Sequence, residues 1–123
     1  MDTSMQDIAT VQALIDRHFD IWNDANPGNW AAKFTEAYAP DFFVADYQGM
    51  ATGYVSVGQL IRRVQGEHPG FVFTPAAAEW NHGMGRVTWA YGPAQQPGLI
   101  RGEDIFTIRD GKLASMRVFL DKK

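Results

Sequence analysis

The sequence predicts one α+β domain over residues 1–123, with three helices covering one face of a strongly curved, mostly antiparallel sheet. Two observations lead to this prediction. Before His68, apolar residues recur in three stretches at steps of three and four, which is the spacing of amphipathic helices. After Gly70, they recur at every second position, which is the spacing of strands. A chain of 123 residues can bury one core but not two.

The first helix is predicted from an apolar stripe that runs from Ile8 to Trp22. Ser4 and Asp7 have the spacing of a capping box before it, and the helix should end before Asn26. His18 is the one polar residue on the narrow seam of this stripe. It is therefore expected on the inner face of the helix.

The next stretch should form a short helix, a short strand and a third helix. The second helix should start at Asn29, carry Trp30, Phe34 and Tyr38 inward, and end at Pro40. A strand covered on both faces is expected over residues 41–46, followed by a loop over 47–53. Helical spacing returns over residues 55–67.

Four strands are predicted in the remaining chain. The first spans residues 71–82 and is weak at Pro75, which cannot donate a hydrogen bond to a neighbouring strand. Gly83 turns the chain into a strand over residues 84–91, and a proline-containing loop follows. The last two strands form a hairpin at Asp110-Gly111, a dipeptide that readily adopts the positive φ angles of a tight turn.

Alternation along this hairpin places one carboxylate on an otherwise apolar face. Gly102, Asp104, Phe106 and Ile108 share that face, and the last strand contributes Ala114, Met116, Val118 and Leu120. A buried carboxylate is costly unless it is hydrogen-bonded or protonated. Asp104 is therefore a candidate for a neutral acid at pH 7. The structural alternative is an ion pair with Arg86, Arg101 or Arg117.

Composition argues against several classes of function. The net charge is −3 and the basic residues are scattered, so a nucleic-acid partner is not expected. There is no cysteine, no apolar segment long enough to cross a membrane and no secretory signal pattern, so a cytoplasmic protein without a membrane partner is expected. Neither a metal-ligand spacing nor a phosphate-binding loop is present, so no metal and no cofactor are expected.

The element order and the segment Gly-Glu-Asp-Ile-Phe-Thr-Ile-Arg-Asp-Gly-Lys-Leu in the final hairpin resemble the nuclear transport factor 2-like (NTF2-like) superfamily. Within it, the chain is most similar to the SnoaL-like group and the steroid Δ-isomerases. The resemblance covers essentially the whole chain and is strongest from Gly102 to Asp121. It implies a cone-shaped fold whose helices and curved sheet enclose a pocket, commonly in a homodimer.

The resemblance to the steroid isomerases also implies roles for three residues. Asp46 matches the general base at the end of the first strand. Asp104, two residues before Phe106, matches the acid of the oxyanion hole. His18, five residues before Asn23, stands where the isomerases have a tyrosine of the same oxyanion hole. The SnoaL-like cyclases also use an acid in the last hairpin, which again indicates Asp104.

Each of these residues has a structural alternative. Tyr47 replaces the proline that usually follows the isomerase base, and Asp46 alternatively caps the loop after its strand. His18 alternatively is a core histidine, and His68 and His82 are expected to be solvated beside turns. Six large side chains are expected to line the pocket as well as the core: Trp22, Tyr38, Trp89, Tyr91, Phe106 and Met116.

The leading functional hypothesis is an enzyme of the isomerase, cyclase or dehydratase kind that transfers a proton next to a carbonyl. Asp46 would be the base, and Asp104 and His18 the donors to the enolate oxygen. The competing hypothesis is a non-catalytic domain that binds a small apolar or aromatic ligand or serves as a dimeric interaction module. A homodimer is expected through the outer sheet face, which would expose Ile105, Thr107, Leu113 and Phe119 on a monomer.

Overall fold

In a computed structural model of the chain, residues 7–121 are described, and within them three α-helices pack against a seven-stranded sheet. The helices are α1 (Ile8–Asn23), α2 (Trp30–Ala37) and α3 (Gly53–Glu67), with a 3-10 turn (Pro27–Asn29) before α2. The strands are β1 (Tyr38–Ala45), β2 (Met50–Thr52), β3 (Val72–Pro75), β4 (Glu79–Asn81), β5 (Met84–Gly92), β6 (Ile100–Arg109) and β7 (Lys112–Leu120).

The sheet is curved, open and mostly antiparallel. Its strand order is β2-β1-β7-β6-β5-β3, and β4 pairs with β5 beside β3. Only β1 and β7 are paired in parallel within the described residues. Because β6 lies between β5 and β7, its inward side chains lie at the centre of the concave face. This confirms the predicted α+β class and the curved, mostly antiparallel sheet.

Helix α1 supplies the main cover of that concave face. Asp7 caps its N-terminus, since the side chain accepts a hydrogen bond of 2.8 Å from the backbone N–H of Thr10. The predicted capping box is therefore wrong in placing Asp7 inside the first turn, and Ser4 lies outside the described residues. The predicted apolar stripe is buried from Val11 to Trp22, including His18, which is 3% exposed, but Ile8 at its start is 53% exposed.

The boundary between α2 and β1 differs from the prediction. Helix α2 ends at Ala37, and Tyr38 is the first residue of β1 rather than part of the helix. Pro40 thus lies in a strand. The register of β1 against β7 shifts between Tyr38 and Phe43, so the missing N–H of Pro40 falls where the regular ladder is already interrupted.

Two further strand predictions need correction. The segment predicted as a loop contains β2, which pairs with the end of β1. The predicted long strand over residues 71–82 is split into β3 and β4, both of which pair with β5. The break follows Pro75, the residue that weakened the prediction.

The final hairpin forms as predicted, with positive φ angles of 54° at Asp110 and 77° at Gly111. Its register changes near the turn, because Thr107 faces Ser115 whereas Ile108 faces Leu113. The extra residue between them is a β-bulge, and it reverses the side on which the neighbouring side chains lie. Leu113 is therefore completely buried, and its predicted position on the outer face is wrong.

The core lies between α1, α2, α3 and the concave face of the sheet. Aromatic rings fill much of it: Tyr91 stacks on Phe73 at a centroid distance of 3.9 Å, and Phe73 meets Trp89 edge to face at 5.2 Å. None of the helices in residues 7–121 is long and apolar enough to cross a membrane.

Candidate active site

A cavity of about 220 Å³ opens between α1, the end of α3 and the concave face of the sheet. His18 and Asp104 line its buried end, where each is 3% exposed. Gln48 and Glu67 are exposed and lie at its mouth. Most of the wall between these ends is aromatic or aliphatic, so the cavity is apolar with polar groups at its two ends.

The cavity brings together the three residues singled out by the sequence, because His18, Asp46 and Asp104 all line it. Four of the six expected pocket residues also line it: Trp22, Trp89, Tyr91 and Met116. Tyr38 and Phe106 do not, which corrects their predicted placement in the wall. Tyr38 lies behind His18 because it belongs to β1 and not to a helix. Phe106 points inward but packs under Trp80 and Gly85, away from the cavity.

His18 is held by a tyrosine behind it. Its Nδ1 lies 2.7 Å from the hydroxyl oxygen of Tyr38, which also accepts a hydrogen bond of 3.1 Å from Nε1 of Trp22. An indole N–H can only donate, and Nδ1 of His18 is the one acceptor that the Tyr38 hydroxyl reaches among residues 7–121. The Tyr38 hydroxyl hydrogen therefore points to Nδ1.

This network assigns the tautomer of His18. Burial lowers the pKa of His18 to about 3, so the ring is neutral at pH 7. With Nδ1 occupied as an acceptor, its single hydrogen is on Nε2, the nitrogen nearer Asp104. His18 thus presents an N–H donor rather than a cation.

Asp104 is positioned by a tryptophan that lies across a glycine. The Trp89 indole packs against Gly102, where a β-carbon would lie 2.6 Å from Cζ2 of the ring. From that position Nε1 of Trp89 donates to Oδ1 of Asp104 at 3.0 Å. Gly102 therefore provides the space that this hydrogen bond needs.

The carboxyl group of Asp104 has an unusual affinity for its proton. Burial raises its pKa to about 7; the hydrogen bond from Trp89 lowers it and the nearby Glu103 carboxylate raises it further. Among residues 7–121, no arginine lies within ion-pair distance of Asp104, so the predicted alternative of a structural ion pair does not apply. Because Oδ1 accepts from Trp89, the proton of the neutral acid belongs on Oδ2.

Two hydrogen-bond donors consequently face each other across 3.9 Å, from Nε2 of His18 to Oδ2 of Asp104. That distance is within ion-pair range, but the lowered pKa of His18 and the raised pKa of Asp104 both favour the neutral pair. It is too long for a direct hydrogen bond. Neither atom has a hydrogen-bond partner among the described residues. Since no fully buried side-chain nitrogen or oxygen there is left without a partner, both atoms are in contact with solvent, and their residues line the cavity.

Asp46 lies just beyond the end of β1, half-buried at the cavity wall. Its Oδ1 accepts backbone hydrogen bonds of 2.9 Å from both Gln48 and Gly49. The carboxylate therefore caps the loop, as its structural alternative required, and also borders the cavity. Its Oδ2 makes no hydrogen bond within residues 7–121.

The sequence did not indicate two features of the site, the role of Tyr38 behind His18 and the place of His68 in the wall. Tyr38 was placed on a helix, so its hydrogen bond to His18 could not be foreseen. His68 was expected to be solvated, but it is half-buried and lines the cavity, with Nδ1 3.0 Å from the carbonyl oxygen of Val64. Its position four residues after Val64, at the end of an amphipathic helix, was the available signal. No group of three or more His, Asp or Glu side chains in the described chain is arranged to hold a metal ion.

Comparison with solved structures places the fold among known ones. A candidate isomerase of the SnoaL-like family from Agrobacterium tumefaciens str. C58 superposes with a TM-score of 0.85 at 16% identity, covering 93% of this chain and 99% of that one. A candidate ketosteroid isomerase from Kribbella flavida gives 0.70 at 20% identity, covering 97% and 83%. An NTF2-like protein of unknown function from Exiguobacterium gives 0.71 at 17% identity, covering 89% and 99%.

No family model matches the sequence, and no curated protein matches it. At these identities the structural likeness establishes the fold. The chain has the NTF2-like fold, as the sequence predicted.

Proposed function

We propose that this protein is an enzyme of the isomerase, cyclase or dehydratase kind that catalyses proton transfer next to a carbonyl group. The observation that carries this proposal is the pair of donors at the buried end of the cavity, Nε2–H of His18 and the protonated Oδ2 of Asp104. One acceptor oxygen between them could contact both. A carbonyl oxygen that becomes negatively charged during reaction is such an acceptor.

The proposed base is Asp46. Its Oδ2 would remove a proton from the carbon next to the carbonyl, while Oδ1 keeps its two backbone hydrogen bonds and so fixes the carboxylate. The electron pair of the broken C–H bond forms a carbon–carbon double bond, and the carbonyl π electrons move to oxygen. The two donors stabilise this enolate. In a substrate with a second carbon–carbon double bond next to the acidic carbon, Asp46 then gives the proton to the far end of that double bond, while the electron pair on oxygen re-forms the carbonyl group.

Stabilisation of the enolate depends on the donors being neutral. A carboxylate at position 104 would repel the developing negative charge, whereas the protonated acid donates to it. Removal of one such donor typically costs several kcal/mol of transition-state stabilisation. The raised pKa of Asp104 therefore supports the proposed chemistry rather than a merely structural role.

The direct test is exchange of the acidic α-protons of β-tetralone, a two-ring ketone, in deuterated buffer followed by proton NMR. Asp46→Asn keeps an oxygen that can accept the backbone hydrogen bonds of the loop but cannot take a proton, so we expect exchange to fall at least about a hundredfold. Asp41→Asn, which changes an exposed carboxylate on β1, is the matched control and should keep wild-type exchange.

Full exchange activity in Asp46→Asn would reject Asp46 as the base. Absence of exchange by the wild type on a panel of ketones that it binds would reject the enzyme hypothesis. The second candidate, a non-catalytic pocket for a small apolar or aromatic ligand, would then replace it. The observation that favours this candidate is the use of Oδ1 of Asp46 as a loop cap.

A further inference from the structure

Tyr91 and His68 form a second polar group in the same cavity, separate from the pair of donors. Tyr91 is 5% exposed and lines the cavity, yet its hydroxyl has no hydrogen-bond partner among residues 7–121. No side-chain oxygen in the described chain is both fully buried and without a partner, so this hydroxyl is in contact with solvent, and Tyr91 lines the cavity. Burial also raises its pKa to about 12, so it remains a neutral hydroxyl.

The ring of Tyr91 is held firmly although its hydroxyl is not bonded. It stacks on Phe73 at 3.9 Å and meets Phe71 at 5.1 Å and His68 at 5.5 Å, both edge to face. A polar group fixed in place by packing, with its hydrogen-bonding capacity unused, is a feature of preformed ligand sites.

His68 is fixed by a hydrogen bond as well as by its contact with Tyr91. Its Nδ1 lies 3.0 Å from the carbonyl oxygen of Val64, which can only accept, so Nδ1 carries a hydrogen. In the neutral ring Nε2 is then an acceptor, and within residues 7–121 it makes no hydrogen bond. Tyr91 can donate and His68 can accept, so together they suit a group that does both.

The separation of the two polar ends limits the size of the ligand. Asp104 faces Val87 across the β5–β6 ladder, and Tyr91 lies four residues further along β5, about 13 Å away by strand rise. The wall between them is aromatic, with Trp89 and Phe73 beside Tyr91. A cavity of about 220 Å³ compares with roughly 150 Å³ for an engineered cavity that binds one benzene ring.

From these observations we infer that Tyr91 and His68 form a specificity subsite for a hydroxyl group at the far end of a flat, one- or two-ring carbonyl compound. The carbonyl oxygen lies between His18 and Asp104, and the hydroxyl accepts from Tyr91 and donates to His68. This inference deepens the proposed function and rests on it for the carbonyl end of the ligand.

The test compares two probes that lack exchangeable α-protons: β-naphthaldehyde, and its analogue with a hydroxyl at the opposite end of the ring system. Isothermal titration calorimetry should show the hydroxy analogue binding the wild type about tenfold more tightly, the net effect expected when a ligand hydroxyl exchanges water for hydrogen bonds to the protein. Tyr91→Phe should remove most of this preference, measured in each protein as the ratio of the two affinities. The hydroxyl also changes the aldehyde oxygen through conjugation across the rings. This electronic effect is the same in the wild type and in Tyr91→Phe, so it cancels when their preferences are compared.

Two more variants sharpen the result. His68→Asn keeps a donor that can reach the carbonyl oxygen of Val64 but removes the acceptor at Nε2, and should also reduce the preference. Tyr54→Phe is the control. It removes a hydroxyl that donates to the backbone oxygen of Tyr38 and does not line the cavity, so this variant should keep the preference for the hydroxy analogue.

An equal affinity of the wild type for both probes, or an unchanged preference in Tyr91→Phe, would overturn the subsite. Failure of both probes to bind would overturn the ligand class. These outcomes are separate from failure of the proposed function. That failure would appear with the ketones of the exchange test, as binding without exchange of their α-protons.

Discussion

At the scale of single residues, the site depends on two buried groups whose pKa values are shifted in opposite directions by the same cause, burial. Burial lowers the pKa of His18 to about 3 and raises that of Asp104 to about 7, because in each case the charged form is penalised. Both residues are consequently neutral in mildly acidic solution. A neutral pair of donors is what an enolate oxygen requires.

The raised pKa of Asp104 makes the stability of the fold depend on pH. Since the folded state holds the proton up to about pH 7 and the unfolded state loses it near the ordinary value of 3.8, the contribution of Asp104 to stability falls as pH rises through this window. His18 has the opposite effect: as pH falls below 6.5 its contribution to stability decreases, because the ring is protonated in the unfolded state but stays neutral in the folded state. The two effects partly cancel in the wild type.

Asp104→Asn should separate them. The amide keeps an acceptor for Trp89 and a donor in place of Oδ2, but does not titrate. The quantity to follow is the unfolding free energy of Asp104→Asn minus that of the wild type. We expect this difference to increase by up to about 4 kcal/mol as the pH is raised from about 4 to about 8. Urea denaturation across this range measures the difference, with Asp41→Asn as the exposed-carboxylate control. A difference that is independent of pH would show that Asp104 does not hold its proton in the folded state.

At the scale of elements, the position of Asp104 depends on the contact between β5 and β6. Gly102→Ala would place a β-carbon 2.6 Å from the Trp89 ring and 2.9 Å from the backbone oxygen of Phe119. We expect a loss of about 1–3 kcal/mol of unfolding free energy from overpacking, together with displacement of the indole from Asp104. Urea denaturation followed by tryptophan fluorescence reports both effects.

The matched control is Gly66→Ala on α3, where a β-carbon meets no atom within 4 Å. Alanine has the higher helix propensity, so this variant should be as stable as wild type or more stable. If Gly102→Ala were as stable as wild type, this result would contradict the close packing of Trp89 against Gly102 of β6.

The elements that local pattern determines were predictable, and those set by distant pairing were not. The stripe of α1 and the Asp110-Gly111 turn are local, so His18 and Asp104 could be placed inside the fold from sequence. The start of β1 at Tyr38 depends on pairing with β7, and the burial of Leu113 depends on a bulge. The hydrogen bond from Tyr38 to His18 follows from that pairing and therefore lay beyond local pattern.

At the scale of the whole molecule, the convex face of the sheet leaves apolar side chains in contact with solvent. Phe119 is 50% exposed and Met84 is 53% exposed, although Leu113 no longer belongs to this face. We predict that two chains associate through it, since exposed apolar side chains are stabilised by burial against a second copy.

Light scattering at micromolar concentration should therefore give twice the chain mass of 13.7 kDa. Phe119→Glu should shift the protein towards the single-chain mass, whereas Val55→Glu, which changes an exposed residue on α3, should not. A wild-type mass near that of one chain would contradict the predicted dimer.

The central claim is that neutral His18 and protonated Asp104 donate together to one ligand oxygen. The most direct measurement is the affinity for β-naphthaldehyde as a function of pH, in the wild type and in Asp104→Asn, because an aldehyde oxygen can only accept. We predict that wild-type affinity falls above about pH 7, approaching tenfold for each further pH unit, while Asp104→Asn binds with an affinity independent of pH. A wild-type affinity that does not change through pH 7, or an equal decline in Asp104→Asn, would contradict the claim.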